Sequence, residues 1–547
     1  MNLIEKAEQQ IKSVIDNVLK KHNVEINYII EIPADKSFGD FAANVAMVGA
    51  KVLKMPPVKI AEMLIAEIDL SDTYCKSVSV AGPGFINFSL SDSWYIEVLQ
   101  NILDEKQNYG KAEPKNKKIL VEFVSANPTG PMHIGNARGG AIGDTLAETL
   151  SWAGYDVERE FYINDAGNQI DKFAMSLDLR YLQIYDSEVE LPEDAYQGED
   201  IKTHAKNFDK LFGDKYVSAD EKTRRKALVD FALPLNIAEL KTDLKKYEIE
   251  YDTWFPESRL HKENEVDRVI DILKARGYTY ESDGALWFNG DEYSVEDFVL
   301  VRATGVPTYV VPDIAYHYNK LVTRGFDFAI DIFGADHHGY VPRLRASLKA
   351  LGIDDTRLSV ILMQMVRLVS GGETVKLSKR SGKAITLSTL LEEVPIDAAR
   401  FFFNLREANT HFDFDLDLAI QNNNENPVFY VEYAHARICS LLDLFDNNDN
   451  KVTDLTLLKA PQETALIKQL ALLPSEIEKV AESYNTARLT KYAIETASLF
   501  HKFYDVCSIR YAESDDLKTA RLSLCKATKT VIFNVLALMK ITAPDSM

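Results

Sequence analysis

Residues 117–163 read KKILVEFVSANPTGPMHIGNARGGAIGDTLAETLSWAGYDVEREFYI, and this stretch decides the fold. It opens on KKILVEFVS, an apolar run of strand length. Asn127-Pro128 and Gly130-Pro131 then force a loop. GGAIGDTLAETLSWAG (139–154) has helical period, and VEREFYI (157–163) reads as a second strand. Strand, loop, helix, strand predicts a βαβ unit, and hence a parallel sheet.

Upstream, residues 1 to about 110 carry helical periodicity, a Met55-Pro56-Pro57 loop and a strand-like stretch around 77–90 broken by Gly82-Pro83-Gly84. Downstream, residues from about 171 to 250 are charged and helical in pattern, as in an insertion. From about 251 to 385 the strand-like stretches ALWF, TYVV, DFAIDIF and MVRLV restore α/β character. Beyond about 390 the pattern is helix after helix; in TALIKQLALL, for example, Leu466, Ile467, Leu470 and Leu473 form one stripe. The expected domains are 1–112, 113–388 with the insertion at about 171–250, and 389–547. Single cores stop growing at roughly 250–300 residues, so 547 residues imply several domains in any case.

Composition narrows the class. Hydrophobic residues make up 46%, ordinary for a globular protein. No uninterrupted apolar run of about 20 residues suggests a membrane span, and the N-terminus lacks a signal-peptide layout. Cys75, Cys439, Cys507 and Cys525 form no C-x-x-C pair, which argues against structural zinc and a disulfide framework and fits a reducing cytoplasm. The net charge of −21 weighs against nucleic acid unless the basic residues gather on one face.

Two motifs carry chemistry. In the first, His133, Gly135 and Asn136 stand where the helix should begin. A helix N-terminus offers free N–H groups and partial positive charge to a triphosphate. Gly135 permits close approach of substrate. His133 and Asn136, three apart, share a side and can donate to phosphate oxygens. The second motif is SGGETVKLSKRSGKAITL (370–387), where glycines flank Lys376, Lys379, Arg380 and Lys383. A mobile cationic loop suits the charge that develops as pyrophosphate leaves.

His-Ile-Gly-Asn after a strand, with Lys-Leu-Ser-Lys late in the same domain, resembles the paired signatures of class I aminoacyl-tRNA synthetases. Asn136 stands where a second histidine is usual, and Leu377 where a methionine is. Longer strings resemble the arginyl-tRNA synthetase family in its bacterial form: residues 121–144, YINDAGNQI (162–170), TYVVPDIAYH (308–317), FGADHHGYV (333–341) and NPVFYVEYAHARICS (426–440). The DAAR string at 397–400 resembles the signature of that family's helical domain. FGDFAANVAM (38–47) and AGPGFINFSL (81–90) resemble its tRNA-contacting N-terminal domain.

The resemblance implies a Rossmann-like parallel-sheet catalytic domain, a small α+β N-terminal domain and an all-α anticodon-binding domain. It implies a ligase acting on L-arginine, ATP with Mg²⁺ and tRNA-Arg, a monomer with no membrane partner, and no protein-bound structural metal. It also implies activation of arginine only once tRNA is bound. Its site residues transfer as follows. His133, Asn136, Lys376 and Lys379 act in catalysis. ATP is bound by His133, Gly135, Asn136, Gly334, Asp336 and Lys379. Asn127, Glu257, Tyr309, Asp313 and His337 bind arginine, and Phe85, Asn87, Tyr433 and Arg437 touch tRNA. An arginine pocket needs a buried carboxylate to meet the guanidinium fork. Without the resemblance, Asp313 reads equally as a turn residue after Pro312, and Glu257 as a surface carboxylate. His337 and His338, if on a strand, point to opposite faces and do not share a metal.

Overall fold

The computed structural model describes residues 2–33, 35, 38–375, 385–445 and 454–547. A five-stranded sheet forms its centre, every pairing parallel. Lys118–Glu122 is the middle strand. Asp156–Ile163 and Thr253–Pro256 follow on one flank, Phe328–Gly334 and Leu358–Met363 on the other. The middle strand is buried on both faces, as its apolar run requires.

Helix Ile134–Trp152 packs on this sheet with nearly its whole circumference buried. That burial explains its glycines. A Cβ at Gly143 would run into the Phe123 ring, and one at Gly140 would stand 2.7 Å from Ile249 Cδ1. Helical glycine costs about 1 kcal/mol against alanine, here offset by close packing.

The insertion comprises helices Asn168–Leu182, Glu199–Phe212 and Glu221–Lys246 around their own core of Phe173, Leu177, Tyr181, Ile201, Phe208 and Leu228. It is not free of the sheet. Asn236 Nδ2 donates to the Pro128 carbonyl at 2.9 Å, pinning the loop that precedes the first motif.

Of the expected strand-like stretches, ALWF, DFAIDIF and MVRLV form strands and TYVV does not. TYVV is not a strand: Val310 and Val311 open helix Val310–Tyr318, with Pro312 in its first turn, where the missing N–H costs nothing. β-branched residues there face a buried surface, so their side-chain type reports burial rather than extension. MVRLV contributes Val366–Ser370 to a separate three-stranded sheet, while LSVILM, unassigned from sequence, forms the edge strand Leu358–Met363. Beyond 389 the chain is not wholly helical, because Phe412–Asp415 pairs in parallel with Val366–Ser370. In addition, ALWF lies in its own antiparallel sheet with Thr279–Ser282 and Phe298–Val301.

The C-terminal helices Pro427–Phe445, Pro461–Ala471, Leu473–Ser483, Ala487–Val506 and Asp515–Leu538 form a bundle. Leu466, Ile467 and Leu470 share one helix, but Leu473 begins the next, where Pro474 breaks the chain. The N-terminal domain is an antiparallel sheet in the order Ile30–Glu31, Phe41–Ala43, Phe85–Leu90, Cys75–Ala81, with helices on it. It docks on the bundle: Tyr109 Oη donates to the Leu470 carbonyl at 3.3 Å, and Asn2 Nδ2 to Ser475 Oγ at 3.2 Å.

Candidate active site

Successive strands are added on one side of Lys118–Glu122 and then on the other, so the order of winding reverses between it and Phe328–Gly334. Such a switch point opens a crevice beyond the carboxyl ends of the strands. The middle strand leaves it abruptly. Val124 (φ 69°) and Ser125 (φ 39°) are both left-handed, costly for any residue with a Cβ and most for a β-branched one. Side-chain bonds hold the turn: Ser125 Oγ donates to Glu122 Oε1 at 2.8 Å and accepts from the Tyr162 N–H at 3.2 Å.

The loop then lines a cleft of about 510 Å³ with His133 and Asn136, closed on its far side by Tyr196, Gly198 and Asp200 of the insertion. His133 is exposed and caps helix Ile134–Trp152. Its backbone N–H donates to Asn136 Oδ1 at 3.0 Å. The Asn136 oxygen is thus committed to the helix start, so any bond to a ligand from this side chain is made by its amide nitrogen. Beside Gly135 the space is open for 4 Å around a would-be Cβ.

Lys376, Leu377, Lys379, Arg380 and Lys383 lie outside the described residues. The chain on either side of them is described. Val375 and Ile385 line a second cavity, of about 630 Å³, together with His133. Thr386 forms an antiparallel bridge with His133, and Leu387 N–H donates to the Met132 carbonyl at 2.9 Å. The described ends of the second motif, over 230 residues downstream, thus meet the first motif at the helix start.

Glu257 follows the outer strand, its N–H bonded to the Ile163 carbonyl at 2.9 Å. With its amide nitrogen turned toward Glu257, Asn164 donates to Oε2 at 3.0 Å. Asp313, in the first turn of helix Val310–Tyr318, accepts from Tyr340 Oη and faces His317 Nδ1 at 3.3 Å. Tyr162 lies by both carboxylates. The environments push the two apart. Burial drives Glu257 up to about 7, helped by Asp165 and Asp313 and opposed by a hydrogen bond from Tyr162. Burial acts on Asp313 in the same sense, but the His317 charge and the bonds from His317 and Tyr340 outweigh it and hold that carboxyl below its usual value.

Tyr309 is exposed, its ring 5.9 Å from that of Tyr340, which in turn lies 6.4 Å from His337. Asn127 is exposed at the crevice. Gly334 ends its strand. Residues Ala335–His337 form a 3₁₀ turn rather than a strand continuation, so the opposite-face argument for His337 and His338 does not apply. Asp336 is exposed, 3.9 Å from His337 Nε2. Among the described residues, His435, Cys439 and Asp545 place ligand-type atoms within 4.8 Å of one another. His435 Nδ1 is committed to the Pro544 carbonyl at 2.8 Å, and Lys529 stands 3.3 Å from Asp545.

Sequence reasoning missed Tyr340, Tyr162 and Asn164, and the buried His317, Lys320 and Asp331 behind Asp313. One signal was available: His317 and Lys320 fall four and seven residues after Asp313, on one helical face.

On the remaining surfaces, Phe85 is half-buried on its strand. Asn87 is 6% exposed, with Oδ1 lacking a hydrogen-bond partner among the described residues. Tyr433 stacks on Phe429 at 6.2 Å, and the Arg437 guanidinium lies 3.8 Å from the Tyr504 ring centroid. His435 packs in the core.

Three family models match the chain: the arginyl tRNA synthetase N terminal domain over residues 5–90, the class I (R) tRNA synthetase catalytic domain over 98–415, and the DALR anticodon binding domain over 431–547. The chain is 51% identical to the arginine–tRNA ligase of Caldanaerobacter subterraneus subsp. tengcongensis and 48% to that of Acetivibrio thermocellus, with 100% of each chain covered in both cases. Its fold is similar to that of the Thermus thermophilus arginyl-tRNA synthetase, with a TM-score of 0.77 at 21% identity over 98% of this chain and 100% of that one. No helix among the described residues is long and apolar enough to cross a membrane.

Proposed function

The chain belongs to the arginyl-tRNA synthetases, and from that premise we propose how its cleft divides the work of the family reaction. It is a class I arginine–tRNA ligase: it activates L-arginine with ATP and transfers the arginyl group to tRNA, releasing pyrophosphate and AMP. The observation that carries the site assignment is the pair Glu257 and Asp313, two carboxylates close enough for one to act on the other, with Tyr162 by both. Two carboxylates accept the planar guanidinium fork by charge-assisted bonds roughly twice as strong as neutral ones. Tyr309 and Tyr340 wall the pocket, while Asn127 and His337 hold the α-amino and carboxylate ends.

ATP, entering with Mg²⁺ ligated mostly by its phosphates and water, lies along the crevice. The first-turn N–H groups, Asn136 Nδ2 and His133 hold its phosphates. On the ribose side, Gly334 allows close approach and Asp336 accepts from a hydroxyl. Lys379, helped by Lys376 and Arg380, answers the charge that builds on pyrophosphate. An arginine carboxylate oxygen attacks the α-phosphorus, the bond to the β-phosphate oxygen breaks, and pyrophosphate leaves. The 2′-OH of the terminal ribose then attacks the adenylate carbonyl and AMP leaves. Orientation supplies much of the rate, as much as about 7–11 kcal/mol in well-ordered systems.

The helical domain meets the anticodon through Tyr433 and Arg437, since unstacked loop bases suit rings and cations. Phe85 and Asn87 belong to the tRNA-facing side of the N-terminal domain. The enzyme acts as a monomer in a reducing cytoplasm, in keeping with four unpaired, buried cysteines.

The test is ATP–pyrophosphate exchange with each amino acid, with and without tRNA. Exchange with arginine alone, appearing only with tRNA, is expected. Exchange with another amino acid would overturn the Glu257 and Asp313 pocket. A second expectation concerns pH. Below about 7 the free Glu257 carboxyl holds a proton that the guanidinium must displace. With ATP and tRNA saturating, KM for arginine should therefore rise up to about tenfold for each pH unit below 7 and level off above it. Glu257→Gln should flatten this profile at a higher KM. A wild-type profile already flat from about pH 5.5 to 8.5 would remove Glu257 from the pocket.

A further inference from the structure

Behind Asp313 runs a file of buried charge that the reaction as described does not use. His317 has no exposed surface. Its Nδ1 lies 2.8 Å from the Asp313 carbonyl and 3.3 Å from Asp313 Oδ1, and its Nε2 lies 2.6 Å from Asp331 Oδ2. Both ring nitrogens face acceptors. A neutral imidazole has one N–H, so only the doubly protonated ring satisfies both.

Charged and polar groups surround this file on every side. Lys320, in the π-helical turn Asn319–Thr323, donates to Asp331 Oδ1 at 2.8 Å and to Glu122 Oε2 at 2.5 Å, and lies 4.0 Å from the Tyr316 ring centroid. Tyr316 donates to Glu160 at 2.6 Å, and Arg324 pairs with Glu160 at 2.6 Å. Tyr340 covers the far oxygen of Asp313. Lys320 and His317 share Asp331, and of the two it is His317 that also faces the Asp313 carboxylate directly. Burial and the Lys320 charge push His317 down, but Asp313 and Asp331 prevail and raise it to about 10.

We propose that His317 is a positioning residue for arginine selection: fixed as an imidazolium between Asp331 and Asp313, it keeps Asp313 ionised and presents its carboxylate to a cationic, planar side chain, against the neutral urea isostere. This rests on the reading that Asp313 meets the guanidinium. Without the imidazolium, the desolvated Asp313 carboxyl takes up a proton. Its O–H then donates to a urea oxygen, the group citrulline carries in place of a guanidinium nitrogen.

The experiment is tRNA-dependent ATP–pyrophosphate exchange by the full chain, with arginine and citrulline, for wild type, His317→Gln and Asp313→Asn. For His317→Gln, KM for arginine should rise about tenfold near neutral pH, with kcat and KM for ATP within about twofold. Its KM should climb more steeply than wild type below pH 7, because a second carboxyl now titrates. The preference for arginine over citrulline should fall by about tenfold or more. Equal losses for ATP and arginine, with the pH slope and the citrulline ratio unchanged, would mark a structural role and overturn the proposal. If Asp313→Asn leaves KM for arginine unchanged, the pocket reading itself fails. If Asp313→Asn raises it and His317→Gln does not, only the His317 inference fails. Should His317→Gln not fold, ¹⁵N-histidine NMR of the wild-type chain decides. One imidazolium among the ten histidines is expected at about pH 8.5. A spectrum of neutral rings only would overturn the proposal.

Discussion

Asp313→Asn is expected to lower kcat/KM for arginine by roughly 10²–10³-fold, carried mainly by KM. The change keeps the shape and removes one charge. It leaves the guanidinium with a single carboxylate and the His317 imidazolium facing an amide. Removing one partner of a buried, hydrogen-bonded charge pair costs about 2–5 kcal/mol, and each 1.4 kcal/mol or so is tenfold. Since the side chain binds far from the reacting carboxylate, ground state and transition state lose alike, which raises KM and spares kcat. Steady-state exchange kinetics with a melting curve as control checks this. An unchanged KM in folded protein would place the guanidinium elsewhere.

Arg400→Leu is expected to destabilise the chain by about 3–5 kcal/mol, the usual consequence of breaking a buried ion pair. Arg400 and Asp144 are both fully buried, and their atoms lie 2.6 Å apart. Arg400 also donates to the carbonyls of Met539 at 2.6 Å and Tyr247 at 3.0 Å, tying the end of the C-terminal helix to the insertion's exit. Asp144, on the helix that begins at the first motif, further pairs with Arg159 and Lys540 at 3.1 Å each. The loss strands two carbonyls and removes one of three cations from the carboxylate. Burial alone would raise the Asp144 carboxyl, but Arg400, Lys540 and Arg159 hold it below its usual 3.8. Its contribution is therefore complete above about pH 4 and is lost as pH falls through the lower native value. Denaturant unfolding, followed separately for each domain, measures the effect; a midpoint equal to wild type would show that this junction does not depend on Arg400. Arg400→Lys should fall between, keeping the charge but not the fork.

The site was legible where chemistry follows local order. Strand, Pro/Gly loop and helix start occupy one continuous stretch, so His133 and Asn136 could be placed at a helix N-terminus directly. The reading did not show how Asn136 is oriented. Asparagine at the third helical position reaches back to the cap backbone, which commits its oxygen before any ligand arrives. TYVV misled because β-branched residues on a buried helix face look like a strand when packing is unknown. His317 has a local partner in Asp313, four residues before it, but local reasoning has no way to find the others: Lys320 meets Glu122 across 198 positions of sequence.

By itself, the sequence determined the βαβ start, the insertion, the helical C-terminal region and, through its longer strings, the family. Those features depend on periodicity, turn chemistry and short motifs, all carried within a few residues. Only the tertiary structure decided that Glu257 and Asp313 come close enough to interact, that Asp313 is held below its usual value while Glu257 is pushed up to about 7, and that Thr386 closes on His133. Proton affinity and pairing are set by burial and by charges brought together from distant segments, and that distance is fixed only when the sheet has assembled.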